Sequence, residues 1–337
     1  MSRCPREPSS RIRLPARSEC WNRLSFLGSR RFARPRSAAR FWGVCVALAL
    51  GVGPKEARGA EPEPASGPVT PPVELRHDLR IDGAVTAGLA ASVVTAMLIR
   101  DGLQPGQCRW CDGSKPSDLN GLDDWFRTGL RRPDPGPANL SSHILAFGMA
   151  PLATGGLTVL AAAVDRRSSE TLTDLVLVAE GTFSAIVTTE VLKPIIVRTR
   201  PFAHAIADED ARREVVAGNP DAIRSFPSGH TTAVFGMTAS AGMIASLRGY
   251  RLAPLVWATG IMFGVATAYA RIAADKHYFT DTLGGAAIGL VVGGGVPYLF
   301  HRPTAGQESA SMRWLRRASI ATAPVPGGRI VSVGWEL

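Results

Sequence analysis

Apolar residues along this chain gather into six long segments separated by polar loops. The segments are rich in Ala, Gly, Val, Leu and Thr, and they run Gly83–Ile99, Ile144–Val164, Leu175–Val197, Thr231–Leu247, Leu252–Ala270 and Thr282–Leu299. Each is long enough, or nearly long enough, to cross the hydrocarbon core of a bilayer as a helix. Their small residues permit close helix packing in lipid. The pattern predicts an all-α, six-helix bundle that spans a membrane.

A soluble helical bundle is the alternative interpretation. Glu180 and Glu190 interrupt the third segment, and the mean hydropathy of +0.07 is low for a chain that crosses a membrane several times. The loops favour the membrane, because the short arginine-containing loops Asp165–Glu170 and Arg248–Arg251 fall on the same side of the predicted bundle. By the positive-inside rule that side is cytoplasmic, and the opposite loops face the exterior.

The ends of the chain differ in composition from its body. Residues 1–60 predict a signal or targeting leader, in which an Arg-rich run precedes an apolar run that is too short to span a membrane. A disordered cytoplasmic arm is the alternative. Residues 61–80 predict a Pro/Glu-rich linker, 81–301 the helical domain, and 302–337 a polar tail whose alternating residues 329–337 favour a short strand.

The leader and the loops make conflicting predictions about topology. A cleaved signal would deliver residue 61 to the exterior, whereas the loop charges require Gly83–Ile99 to be entered from inside. Three solutions are open: the leader is retained in the cytoplasm, the first segment does not span, or the whole chain is soluble.

The net charge of +10 comes from the leader alone. Residues 1–60 carry thirteen Lys and Arg against three acidic residues, and the other 277 residues are balanced. Nucleic-acid binding by the body of the chain is therefore disfavoured.

Two cysteines, Cys108 and Cys111, lie in a loop between the first two apolar segments. An even pair in an exported loop is most simply a local disulfide, and free thiols, a redox pair or a zinc site are the alternatives.

Candidate chemistry begins at "SFPSGHTTAVFG", where Ser228, Gly229 and His230 lie at the predicted start of the fourth apolar segment. Unpaired N–H groups at a helix start favour an anion, and glycine lets the backbone approach it closely. Alone, this pattern is more typical of an ordinary helix cap followed by an incidental histidine.

Two further stretches strengthen the prediction of an anion site. "KPIIVRTRP" places Lys193, Arg198 and Arg200 where the third segment ends. "ARIAADKHYFTD" places His277 and Asp281 four residues apart, on one helical face, behind Arg271. A carboxylate that fixes one imidazole nitrogen leaves the other free as a nucleophile.

Together and in this order, the three stretches resemble the signature of the type 2 phosphatidic acid phosphatase and vanadium haloperoxidase superfamily. That signature is Lys-x6-Arg-Pro, Pro-Ser-Gly-His and Ser-Arg-x5-His-x3-Asp. The matching residues are Lys193–Pro201, Pro227–His230 and Arg271–Asp281, with the internal spacings kept. A three-part match is far more specific than one short motif. The departure is Ala270 where the pattern has Ser, which removes a hydroxyl at the edge of the site.

The resemblance implies which residues bind the phosphate oxygens: Lys193, Arg200, Ser228, Gly229 and Arg271. Fixed cations neutralise phosphoryl charge without Mg²⁺, so no metal and no cofactor is expected. Vanadate enters only if the chain is a haloperoxidase.

The resemblance also implies the chemical steps. His277 would attack phosphorus and form a phosphohistidine, and Asp281 would orient it. His230 would protonate the leaving oxygen and then activate the water that hydrolyses the intermediate. Arg198 is expected to have a structural role.

The function implied is a phosphatase that acts on a phosphomonoester or diphosphate, with a lipid such as phosphatidic acid or a polyprenyl diphosphate as substrate. The expected location is the cell inner membrane, with the site facing the periplasm. The alternatives are a soluble periplasmic acid phosphatase, a vanadium haloperoxidase, a phosphotransferase and a non-catalytic membrane scaffold.

Two polar stretches are predicted to be short helices. In "DEDARREV" the acids Asp208–Asp210 precede Arg212 and Arg213, which predicts a self-paired helical turn rather than a cation site. "LNGLDDWFRTGLRRP" predicts an amphipathic interfacial helix that carries Trp125 and Phe126.

Overall fold

The computed structural model describes residues 73–100, 102, 109, 118–304, 318–325 and 328–335. The predicted leader, most of the predicted linker, and Cys108 and Cys111 with their predicted disulfide lie outside the described residues.

The body of the described chain is a bundle of helices, as predicted. The helices are α1 (Leu79–Ile99), α2 (Gly121–Leu130), α3 (Gly136–Val164), α4 (Thr171–Ile196), α5 (Pro201–His204), α6 (Glu209–Gly218), α7 (Gly229–Arg248), α8 (Ala253–Ala273) and α9 (Phe279–Phe300). Helices α3 and α9 each contain a π-helical turn, Leu145–Met149 and Gly289–Gly293. Strands β1 (Ala318–Val325) and β2 (Gly328–Trp335) pair antiparallel, so the predicted C-terminal strand is present and begins one residue earlier.

Helix α7 is the centre of the bundle. It is buried along almost its whole length and packs against α3, α4, α8 and α9. Several of its hydroxyl side chains donate within the helix, as when Thr238 Oγ1 donates to the Val234 carbonyl at 2.7 Å, and Ser240 donates to the Leu177 carbonyl of α4 at 3.3 Å. A helix of small and hydroxyl-bearing residues can therefore occupy a position with neighbours on all sides.

In the part of the chain that the structure describes, five helical segments are long and apolar enough to cross a membrane: Leu79–Ile99, Gly136–Val164, Ser168–Ile196, Ala253–Ala273 and Phe279–Phe300. They expose large apolar side chains on their outer faces, such as Leu98, Leu152, Leu172, Val265 and Val291. An apolar surface around a whole bundle is what lipid requires. The chain is therefore a membrane protein, and the sixth predicted span, Thr231–Leu247, corresponds to the enclosed α7.

Helices α7 and α9 approach each other closely through glycine. A Cβ atom on Gly293 would lie 2.4 Å from the Gly236 carbonyl oxygen, a distance that side chains do not reach. This small-residue contact is the kind that packs helices in lipid, and it joins the first half of α7 to the π-helical turn of α9.

The long helices alternate in direction, so that their ends form two separate clusters. The end of α4, the start of α7, the end of α8 and the start of α9 lie at one end, called here the motif end. At the other, called the loop end, Arg248 donates to Asp174 at 2.9 Å and to Glu170 at 2.8 Å. The twenty residues of α7 separate the two ends by about 30 Å, the thickness of a bilayer core.

Residues just before α1 belong to the folded body. Leu75 is buried and forms a β-bridge with Pro303. The Arg76 N–H donates to the Arg302 carbonyl at 3.0 Å. The start of α1 and the end of α9 therefore lie together at the loop end.

Candidate active site

The three motif stretches meet at the motif end through hydrogen bonds between their backbones. The Ser225 N–H donates to the Arg198 carbonyl at 2.9 Å, which joins the first stretch to the second. The Ser228 N–H donates to the Asp281 carbonyl at 3.0 Å, which joins the second to the third. Residues up to 88 positions apart in sequence are thereby brought into one site.

Local structure directs each stretch into this site. Helix α4 is followed directly by Val197, whose left-handed φ of 49° turns the chain while its N–H returns to the Lys193 carbonyl. Helix α7 begins directly after Ser228, which has extended backbone angles. Helix α9 begins where Asp281 accepts the Tyr278 N–H at 2.8 Å.

The site opens into a cavity of about 800 Å³ that extends from the motif end into the bundle. Lys193, Arg200, Gly229, Arg271 and the two predicted catalytic histidines line it. Its remaining wall is mostly apolar and is called here the apolar wall: Val93, Met97, Leu98, Phe147, Phe183 and Ile186. From Lys193 to Phe183 along α4, this wall continues for about 15 Å.

His277 is held in one tautomer by a backbone carbonyl. Its Nδ1 lies 2.7 Å from the Ser225 oxygen, and a carbonyl only accepts, so Nδ1 carries the proton and Nε2 keeps its lone pair. Burial, followed by the charges of Arg200 and Arg271, holds the pKa of His277 well below its ordinary value. A buried neutral imidazole with a free Nε2 is a competent nucleophile.

Asp281 supports His277 indirectly, which differs from the sequence interpretation. Its Oδ2 lies 3.7 Å from His277 Nδ1, too far for a hydrogen bond. It accepts instead from Ser225 Oγ at 2.5 Å and from the Tyr278 N–H at 2.8 Å. Asp281 therefore fixes the residue whose carbonyl holds His277.

Arg198 lies beneath this arrangement as a structural cation. It is fully buried and donates to Asp281 at 2.7 Å and to Asp123 at 2.8 Å. Asp123 on α2 also accepts from the Thr280 N–H at 2.9 Å. The guanidinium lies 4.2 Å from the centroid of the Tyr278 ring. Asp123 was not predicted from sequence, since no motif contains it.

Two of the predicted phosphate-binding cations are paired with carboxylates. Lys193 contacts Glu190, which also accepts from Arg224 at 2.8 Å. Arg200 donates to Asp221 at 2.7 Å. Neither carboxylate was predicted to belong to the site, although Glu190 was noted as an interruption of an apolar segment.

Arg271 has only neutral oxygen partners among the described residues. Its Nη1 donates to Asn139 Oδ1 at 3.0 Å and to Ser142 Oγ at 3.1 Å. Its Nε is buried and has no hydrogen-bond partner in the described part of the chain. A buried donor beside the cavity is available to an anionic oxygen.

Among the charged side chains of the described cavity lining, cations outnumber carboxylates. The cations are Arg100, Lys193, Arg200, Arg224, Arg271 and Lys276, and the carboxylates are Glu190 and Asp221. Burial, with the charges of Arg200 and Arg271, lowers the pKa of Lys276. Burial also lowers the pKa of Arg200, although Asp221 opposes it. This excess of positive charge favours an anionic ligand. Arg224 and Lys276 were not predicted, because the family signature has no position for them.

His230 faces a second histidine, which no sequence motif singles out. Its Nε2 lies 3.0 Å from Nδ1 of His143 on α3, and the Phe147 ring lies 4.9 Å away. One of the two nitrogens must donate to the other. His143 can therefore orient His230 or exchange a proton with it.

Gly229 and Ser228, both predicted to bind phosphate, lie in different surroundings at the start of α7. A Cβ on Gly229 would lie 3.0 Å from Lys193 Nζ, so glycine leaves room for the lysine at the helix start. Ser228 is fully buried, with its Oγ 3.0 Å from Thr231 Oγ1.

The two predicted short helices are present. On α6, Arg213 pairs with Glu209 at 2.5 Å and Asp210 at 3.4 Å, which is the self-pairing expected. On α2, Trp125 is exposed and the Phe126 ring stacks on Phe279 with centroids 3.8 Å apart. Helix α2 is thus anchored on the start of α9.

Comparison with known proteins gave a family and one solved structure. Residues 174–305 match the model of the PAP2 superfamily, which confirms the resemblance predicted from the three motifs. The chain is also similar to a transmembrane PAP2-type phosphatidylglycerolphosphate phosphatase from Bacillus subtilis, with 20% identity, a TM-score of 0.33, and coverage of 66% of this chain and 87% of that one. No curated protein matches the chain.

Proposed function

We propose that this protein is a membrane phosphatase that hydrolyses a lipid phosphate, either phosphatidic acid or a polyprenyl diphosphate, through a phosphohistidine on His277. One observation carries the proposal: His277, His230 and the three motif cations line a single cavity whose remaining wall is mostly apolar. Phosphoryl transfer depends chiefly on positioning and charge neutralisation, and these side chains supply both.

In the first step, Lys193, Arg200 and Arg271 bind the phosphate oxygens. His277 Nε2 attacks phosphorus in line, and the bond from phosphorus to the leaving oxygen breaks. His230 gives its proton to that oxygen, so the alcohol or phosphate leaves neutralised. The positive charge of the phosphohistidine is offset through its Nδ1–H, which donates to the Ser225 carbonyl.

In the second step, a water attacks the phosphohistidine. His230 takes a proton from that water, the bond between phosphorus and Nε2 breaks, and inorganic phosphate is released. His143 contacts His230 throughout and stabilises whichever protonation state the step requires. The two carboxylates paired with Lys193 and Arg200 must yield to the phosphate oxygens on binding.

The lipid preference is supported by the apolar wall and by the outer surface. A cavity of about 800 Å³ is larger than a phosphate group requires, and its apolar wall suits an acyl or prenyl chain. The five candidate spans place the protein where such substrates reside. The proposed location is the inner membrane, with the motif end facing the periplasm.

The test is phosphate release from phosphatidic acid and from an undecaprenyl diphosphate analogue by detergent-purified protein in excess EDTA. Wild type is compared with His277→Ala, and with His77→Ala as a control, because His77 is exposed at the loop end. Release by wild type and His77→Ala alone supports the proposal. His143→Gln tests the histidine contact, with a lower kcat and an unchanged KM expected.

Three results would contradict the proposal. Equal phosphate release by wild type and His277→Ala would remove His277 from the chemistry. Bromination that requires added vanadate and peroxide, without phosphate release, would identify the haloperoxidase alternative. Recovery of native protein in the aqueous fraction without detergent would replace the membrane enzyme by a soluble acid phosphatase.

A further inference from the structure

Three side chains of the kind that bind metals meet away from the cavity, towards the loop end. They are Asp82 in the first turns of α1, Glu180 on α4, and His301 directly after α9. One possible ligand atom of each lies within 4.8 Å of the others. All three are buried, with at most 8% of each residue exposed. Among the described residues, none of them pairs with Lys or Arg.

The histidine presents a lone pair to a carboxylate. His301 Nδ1 lies 3.0 Å from the Arg76 carbonyl, so Nδ1 carries the proton and Nε2 does not. Nε2 and Glu180 Oε2 are 3.4 Å apart, and neither atom has a hydrogen-bond partner among the described residues. Two buried acceptors that face each other require a positive group between them.

The distance between these two atoms favours a metal ion over a proton. A charge-assisted hydrogen bond between imidazole and carboxylate would bring them to about 2.7–2.9 Å. Two ligand atoms bound to Zn²⁺ at about 2.0–2.1 Å in a tetrahedral site lie about 3.4 Å apart. The separation of 3.4 Å fits an ion between them.

We propose that Asp82, Glu180 and His301 bind a divalent transition-metal ion of the Zn²⁺ type. An imidazole with two carboxylates suits zinc better than Mg²⁺ or Ca²⁺, which take oxygen ligands. The Arg76 carbonyl fixes the histidine tautomer, as an outer partner of a metal-bound histidine does. Thr86 Oγ1, one turn after Asp82, is buried without a partner in the described part of the chain, and it can hold a water in the fourth position.

The ion would fasten three separate parts of the chain. Helix α1 makes its main described contacts with α4 alone, and most of its surface is exposed. A metal between Asp82, Glu180 and His301 would tie α1 and the end of α9 to α4. Since Met97 and Leu98 of α1 line the cavity, this link also holds part of the apolar wall. The role is structural and does not depend on the proposed phosphatase chemistry.

The test uses the full chain in detergent, stripped of metal and then titrated with Zn²⁺. We expect one equivalent of zinc by mass spectrometry after removal of free metal, and a thermal midpoint several degrees higher than that of the stripped protein. Co²⁺ in place of zinc should give the visible absorption of a tetrahedral site. Mg²⁺ should have no effect on the midpoint.

Two variants of the ligands and one control make the test specific. Glu180→Gln and His301→Gln should each lose the bound equivalent and the midpoint shift, whereas His77→Gln, an exposed histidine at the same end, should keep both. Zinc that is retained in both ligand variants would place it elsewhere and overturn the proposal. No binding by folded wild type would show that a proton joins Glu180 and His301 instead. Retained phosphate release by Glu180→Gln would verify that this variant folds.

Discussion

A backbone carbonyl is the hydrogen-bond partner of His277, and burial together with the cations around the ring sets its titration. Its pKa lies well below the ordinary value because the ring is buried and faces Arg200 and Arg271. A lowered pKa means that protonation requires a lower pH, so the imidazole stays neutral through the range in which a free histidine, with a pKa of about 6.5, becomes charged. The nucleophile is thus available at mildly acidic pH.

This predicts how His277 reacts with diethyl pyrocarbonate, which modifies an imidazole only in its neutral form. Between pH 7.5 and 5 the modification rate of an added N-acetylhistidine should fall with a midpoint of about 6.5. The rate at His277, followed by peptide mass spectrometry, should stay nearly constant. A rate at His277 that falls in parallel with the reference would show that burial and the surrounding cations do not lower its pKa.

Substitution of Arg198 tests whether its buried ion pairs stabilise the whole fold or only the site. Its guanidinium separates two buried carboxylates, Asp123 and Asp281. Arg198→Met would leave both without a cation, which typically costs about 3–5 kcal/mol. We expect a large drop in the thermal midpoint, of which Asp123→Asn in the same chain restores part.

The matched control for this prediction lies on the protein surface. Arg213 also bridges two acids on α6, but all three side chains are exposed. Arg213→Met should leave the midpoint nearly unchanged, because exposed pairs contribute little. Equal effects of the two substitutions would mean that the Arg198 network does not stabilise the fold.

At the scale of elements, the contact between α7 and α9 depends on glycine. Gly293→Ala would force its Cβ against the Gly236 carbonyl oxygen at 2.4 Å, and helices that are pushed apart typically lose about 1–3 kcal/mol. Gly295→Ala, two residues later on the same helix, meets nothing within 4 Å. A lower thermal midpoint is expected for Gly293→Ala alone. If both variants unfold at the same temperature, the two helices can separate at no cost.

The long helices were predictable because length and apolar composition are local properties. The position of α7 was not, since a segment rich in Thr, Ser and Gly reads as a weak membrane span until its neighbours are known. The need for a glycine at position 236 becomes visible only when the fold places Gly293 against it. The signature located the charged residues of the site for a similar reason: their spacing is local, and each stretch ends or begins a helix.

Partners that come from distant parts of the chain could not be predicted. The carbonyl of Ser225 that holds His277 is a backbone atom, which no side-chain pattern reveals. Asp123 and His143 reach the site from α2 and α3, where neither lies in a recognisable motif. Glu180 was visible as an acid inside an apolar segment, and only the fold places it beside His301.

For the whole molecule, the alternating helices constrain the topology that the sequence left open. Leu79 and Phe300 lie at the loop end, with Asp165 and Arg251, which pair at 2.6 Å. If the loop end is cytoplasmic, as its arginines favour, the residue before α1 is cytoplasmic as well. A leader that delivers residue 61 to the exterior would conflict with that orientation.

Cysteine labelling tests this topology in a chain whose five native cysteines are replaced by serine. In spheroplasts of the expression host, a membrane-impermeant maleimide should label Asp210→Cys, which is exposed near the motif end. It should reach Arg251→Cys and His77→Cys only after permeabilisation.

Labelling of all three in intact spheroplasts would mean that the helices do not cross the membrane. Labelling of His77→Cys and Asp210→Cys, but not of Arg251→Cys, would mean that α1 does not span and that the leader is exported. The first of these two results would also change the expected substrate pool, because a site that faces the periplasm sees only the lipid phosphates of the outer leaflet.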